Sequence, residues 1–168
     1  GRNGGWCEGA LAGGTEKYAK RSTMDEALRL ERTMFRTVDE IQRVLESEDI
    51  NCDFHKGGFV SVARNSPQAQ RQRSAVELAR KRGTGEEVIR ILDADEARAH
   101  VNATNVHSGI FFAPSAVVDP GKMVRGLAEA VERKGGTIVE GTTALSISTG
   151  KVVCVEGVVS ADVIVQAT

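Results

Sequence analysis

Several absences narrow the chemistry open to this sequence. Its three cysteines, Cys7, Cys52 and Cys154, are odd in number, widely spaced and form no C-x-x-C pair. That argues against a disulfide or zinc framework and for a reducing, cytoplasmic compartment. His55, His100 and His107 show no H-x-x-x-H spacing with an acid nearby, so no metal site is expected. No apolar run approaches the length a bilayer span needs, and no signal peptide is visible. Charge of one sign is missing too: 22 basic residues meet 23 acidic ones for a net charge of −1, so no overall field recruits nucleic acid or an anionic membrane. The cationic stretch from Arg71 through Arg73 to Arg80, Lys81 and Arg82 has Glu77, Glu86 and Glu87 beside it and reads as a solvated helix face.

The motifs of self-contained catalysis are absent as well. There is no G-x-S-x-G elbow, no H-E-x-x-H, no Walker lysine, and no G-x-G-x-x-G joined to a strand and a helix. No catalytic residue can be named on this basis. The carboxylates Asp93, Asp95 and Glu96 read as helix caps. His55 beside Lys56, and Phe111 with Phe112, are candidates to face a substrate pocket, with plain packing or exposure as the alternative.

What is present is a chain of 168 residues, 40% hydrophobic and 27% charged, long enough to bury one core. Glycine is concentrated at its start. Gly1, Gly4, Gly5, Gly9, Gly13 and Gly14 fall within fourteen residues, and each gives up more backbone freedom on folding than any other residue would. Such a run either cradles a phosphate or a polar ring edge with backbone N–H groups or is a flexible end. Trp6 and the interleaved Ala10, Leu11 and Ala12 favour the first, because solvated linkers rarely carry a tryptophan. A buried loop is expected.

Thr23 with Glu26 forms a capping box, and Met24, Leu28, Met34, Phe35, Val38, Ile41 and Leu45 recur at helical intervals to about Glu48. Residues 50–64 then read as one or two strands with a turn or bulge at Gly57-Gly58. Ser66 capping Pro67 starts a helix to Arg82, stopped by Gly83. A strand over 88–92, a helix over 94–101 capped by Asp93 and Glu96, and a strand over 109–113 ended by Pro114 and Ser115 follow. Asp119 and Pro120 open another helix, whose buried stripe is expected at Met123, Val124, Leu127, Ala128 and Val131. Gly135-Gly136 closes it before a strand at 137–140. From Thr142 the pattern is β, through 143–147, 152–155 and 158–159, ending in Val163-Ile164-Val165, apolar enough for a strand buried on both faces. The fold class read from this is α/β with an α+β insertion.

The run Arg2-Asn3-Gly4-Gly5-Trp6 resembles the flavin-contacting loop of the D-amino-acid oxidase, glycine oxidase and sarcosine oxidase family of FAD-dependent oxidoreductases, and is most similar to that of the γ-glutamylputrescine oxidase branch. The resemblance implies part of an FAD-binding Rossmann-like domain in residues 1–49 and 114–168, with part of a smaller substrate-binding domain in 50–113. It also implies an internal fragment, with which the lack of Met at position 1 agrees. By the same resemblance, Gly1, Arg2, Asn3, Gly4, Gly5 and Trp6 would run along the FAD pyrophosphate and ring, donating mostly through the backbone. Ala144 would meet the adenine, and Ala167 and Thr168 would begin the segment that closes over the cofactor. The implied reaction takes a hydride from the carbon beside an amine nitrogen to flavin N5, giving an imine that hydrolyses. The implied substrate is a small amine or amino acid. A related FAD enzyme acting on a hydroxy acid, and a non-catalytic α/β binding module, are the alternatives.

Overall fold

The computed structural model describes residues 3–167. Two compact units divide the chain, Gly1–Leu127 and Ala128–Thr168.

In the first unit, a short strand β1 (Trp6–Glu8) leads through a five-residue helix α1 (Thr15–Ala19) into the long helix α2 (Met24–Ser47). The α2 start is the expected capping box: the Thr23 hydroxyl accepts from the Glu26 N–H, and the Glu26 carboxylate accepts from the Thr23 N–H. Ala27, Val38 and Leu45 are its buried residues, on the face that the apolar periodicity marks. A three-stranded antiparallel sheet follows, in the order β2 (Phe59–Ala63), β4 (Ser108–Phe112), β3 (Ile89–Leu92). Between its strands run α3 (Ser66–Lys81) and α4 (Ala94–His100).

Register assigns the two faces of this sheet. Phe59 lies opposite Phe112, Val60 opposite Phe111 and Leu92 opposite Gly109. Side chains alternate along a strand, so Val60, Val62 and Phe111 fall together with Leu92 and pack with Ala97 and Val106 into one core cluster. The other face meets α2 and α3: Phe112 contacts Phe35 edge-on with centroids 5.6 Å apart, and Gln72 of α3 donates to the Ser61 carbonyl.

A further strand, β5 (Ser115–Val117), pairs antiparallel with β1. The sequence reading ended the preceding strand at Pro114 and Ser115. Instead the chain turns there and Ser115 opens a new strand, which finds its partner more than a hundred residues upstream. Local sequence carries no trace of so distant a pairing. Helix α3 is capped by Asn65, whose side chain accepts from the Gln68 N–H, one residue earlier than expected, with Pro67 in the first turn. Helix α5 (Pro120–Arg133) begins at the expected cap: Asp119 Oδ1 accepts from the N–H groups of Gly121 and Lys122.

In the second unit a meander of β6 (Ala144–Ser148), β7 (Lys151–Cys154) and β8 (Val158–Ser160) pairs antiparallel throughout. Two expected strands are not formed. Residues 137–140 and 163–165 carry no ladder, and Val139, Val163 and Val165 are exposed. A strand exists only through a neighbour, and these segments have none among the described residues. The stripe expected to be buried on α5 is likewise open at Val124, Leu127 and Val131, with Ala130 buried instead. The architecture is therefore mixed α and β, and every strand pair among the described residues is antiparallel.

Candidate functional site

The glycine-rich opening is half strand and half turn, and it is not a uniformly buried loop. Gly5 and Gly9 are buried, whereas Trp6 is 57% exposed and Ala10, Ala12, Gly13 and Gly14 are exposed. The two buried glycines mark the tight places. At Gly5 (φ +89°) a Cβ would stand 2.5 Å from the Val118 carbonyl oxygen; at Gly9 it would stand 2.6 Å from the Met34 carbonyl oxygen on α2. The exposed Trp6 ring lies 5.4 Å from that of Phe59, tilted by 47°.

Hydrogen-bond phase decides which backbone groups are free. Val118 N–H donates to the Gly5 carbonyl, which makes Gly5 and Val118 a bonded pair. The next pair, Trp6 with Val117, must then be a non-bonded one. Val117 agrees, exchanging both of its bonds with His55 on its other side at 3.0 Å each. The Trp6 N–H and carbonyl consequently point to the outer edge of β1, where no strand lies among the described residues. Gly5 is different: its N–H donates to Asn3 Oδ1 at 2.7 Å, so this amide is engaged inside the turn. At Gly4 nothing stands within 4 Å of the position a Cβ would take.

A cleft of about 380 Å³ is lined by Gly4, Gly5 and Trp6 together with Gly58, Phe59 and residues 115–118. Among the described residues no charged side chain lines it. It is a mainly apolar slot lined by glycine, aromatic and aliphatic residues. Such a slot suits one edge of a flat, partly polar ring system, so the residues present fit a flavin ring.

Neither Cys7 nor Cys52 lines the cleft. Burial pushes both thiols above their ordinary range, and the Cys52 sulfur adds to the effect on Cys7. Both are protonated and poorly nucleophilic at neutral pH. Asp93 caps α4 by accepting from the N–H groups of Asp95 and Glu96, which accounts for that carboxylate group as scaffold. His55 is exposed and serves through its backbone. Phe111 faces the α4 side, beneath the Arg90 guanidinium at 5.2 Å from its ring centroid and near the His100 ring.

Of the residues singled out in the sequence, Asn3, Gly4, Gly5 and Trp6 come together at the cleft. Gly1, Arg2 and Thr168 lie outside the described residues. Ala144 is an exposed β6 residue beside a bulge, and Ala167 is exposed and outside any strand. Phe59, Ser115 and Val117 also line the cleft; the sequence marks Ser115 only as a strand end, and the aromatic at the start of β2 is the one available signal.

Comparison with known proteins supplies the family. The sequence model of the family DAO, described as FAD dependent oxidoreductase, matches residues 1–168. The chain belongs to this family. The Probable oxidoreductase OrdL of Haemophilus influenzae is 27% identical over 142 residues, 83% of this chain and 32% of that protein. Glycine oxidase from Geobacillus kaustophilus superposes with a TM-score of 0.68 at 19% identity, over 95% of this chain and 42% of its own. L-amino acid deaminase from Proteus vulgaris gives 0.69 at 16%, over 95% and 36%. At these identities the solved structures establish the shared fold. The chain spans about a third of the curated relative it matches.

Proposed function

We propose that this chain is the central part of an FAD-dependent oxidoreductase that oxidises the C–N bond of a small amine or amino acid. Residues 1–49 and 114–168 then belong to the FAD-binding domain and 50–113 to the substrate-binding domain. The observation that carries the reading is the open outer edge of β1, where the Gly4 position is unobstructed and the Trp6 amide is directed away from β5. A bound flavin would supply the hydride acceptor for oxidation of the carbon beside the amine nitrogen, giving an imine that hydrolyses.

The chain's own residues do the positioning. Gly4 and Trp6 offer backbone N–H groups to the ring edge, and Gly5 lets the main chain approach without a Cβ. Asn3 fixes the turn by accepting the Gly5 amide, so the donors are set before the ligand arrives. Trp6, Phe59 and Val117 form an apolar wall that excludes water from the reacting carbon. By the resemblance of the sequence to the family, Gly1 and Arg2 would run with Asn3 to Trp6 along the pyrophosphate and ring, Ala144 would meet the adenine, and Ala167 and Thr168 would begin the segment that closes over the cofactor. In a longer polypeptide the apolar segments 137–140 and 163–165 become strands by pairing with a neighbouring sheet.

The reading is tested by expressing the full-length protein and recording its flavin absorbance without oxygen. Bleaching by amines or amino acids, and none by 2-hydroxy acids, supports it. Bleaching by hydroxy acids alone would transfer the assignment to C–O oxidation.

A further inference from the structure

A second cleft, of about 290 Å³, shares no residue with the first. It opens between the α1–α2 layer and α3 with β3, and its floor is apolar: Phe35 of α2, Leu78 of α3, Ile89 of β3 and Phe112 of β4. Leu78 is 42% exposed, so the apolar surface is not closed over by the chain itself.

The charges on its rim are unequal. Arg82 lines the cleft with only 18% of its side chain exposed, and its guanidinium is committed to Glu16 in an ion pair. Glu31 also lines it and is half-buried. Its carboxylate accepts a hydrogen bond from the hydroxyl of the buried Thr15 at 2.5 Å. It forms no ion pair with any described residue. Of the carboxylates that line the cleft, Glu16 is paired with Arg82 and Glu31 is held by the Thr15 hydroxyl; the Arg32 guanidinium is near the same rim but donates to the Arg82 carbonyl at 3.4 Å.

We propose that this cleft binds a small organic monocation, with its ammonium group on Glu31 and its apolar tail across Phe35, Leu78 and Ile89. An anion would meet the Glu31 carboxylate while the nearby guanidinium is already engaged. A neutral apolar ligand would strip water from that carboxylate without replacing it by a partner, which is unfavourable. A single ammonium on a short hydrocarbon answers both the charge and the floor. At about 290 Å³ the cleft falls just below the roughly 300–1,000 Å³ range of ligand clefts, which suits a small amine and not a nucleotide. This inference does not depend on the flavin reading, since it uses none of the same residues.

The test is methyl NMR on the full-length protein, titrated without oxygen with n-hexylamine and, separately, with n-hexanoate. The methyl signals of Leu11, Leu78 and Ile89 report this cleft, and those of Val117 and Val118 report the other. Saturable shifts of the first group with hexylamine and none with hexanoate are expected, with binding at least tenfold weaker in Glu31→Gln. Unmoved Leu78 and Ile89 signals, equal shifts with hexanoate, or undiminished binding by Glu31→Gln would overturn the proposal. Should that variant fold poorly, the contrast between amine and acid on the unaltered protein still decides.

Discussion

Gly4 and Gly5 are adjacent and chemically identical, yet their surroundings assign them opposite roles. Gly5 takes a positive φ and sits against the Val118 carbonyl, so Gly5→Ala strains the backbone and collides with main chain. It should lower stability by about 1–3 kcal/mol, read as a drop in the urea midpoint. Gly4 meets nothing, so Gly4→Ala should leave the urea midpoint unchanged while weakening flavin retention, read from the ratio of bound flavin to protein after gel filtration. If both variants lose stability together, Gly4 is structural and the open rim is not a binding edge.

Asp119 gives the residue scale a pH signature. The N–H of Lys122 chiefly, and that of Gly121, hold its carboxyl below the usual carboxylate range. A folded-state value depressed below the unfolded one means the contribution is complete above the unfolded value and is lost as pH falls through the folded value. Stability should therefore decline on acidification below the ordinary carboxylate range. Asp119→Asn, which can still cap, should flatten that part of the curve in pH-dependent chemical denaturation.

At the scale of elements, helices and their ends were legible because their signals are local. The Thr23 and Glu26 pair, the Asp93 and Glu96 pair, and Asp119 before Pro120 each place a helix start through contacts within a few residues. Thr23→Ala should cost about 1 kcal/mol, measured as a thermal-midpoint shift, and Thr23→Ser should restore most of it. The strand β5 and the open rim of β1 were not legible, because they arise from a pairing between Trp6 and Val117 that no local pattern encodes. The failed strands at 137–140 and 163–165 teach the converse: apolar β-prone sequence is permission to pair, and the partner decides. Gly9 ties the two kinds of information together, since β1 can lie against α2 only where no Cβ intervenes. Gly9→Ala should push strand from helix and cost about 1–3 kcal/mol, seen as a lower urea midpoint.

For the molecule as a whole, family membership and the proposed role of the β1 rim rest on different observations. One rests on the match along all 168 residues, the other on hydrogen-bond phase at a handful of them. The relatives are longer than this chain, so the natural object of study is the full polypeptide. The most direct measurement is its absorption spectrum after purification and dialysis against FAD, for the unaltered protein and for Gly4→Val. The account predicts a yellow protein that an amine or amino acid bleaches anaerobically, and a folded Gly4→Val variant that stays colourless. An unaltered protein that remains colourless in the presence of FAD, or a Gly4→Val variant as yellow as its parent, would contradict it.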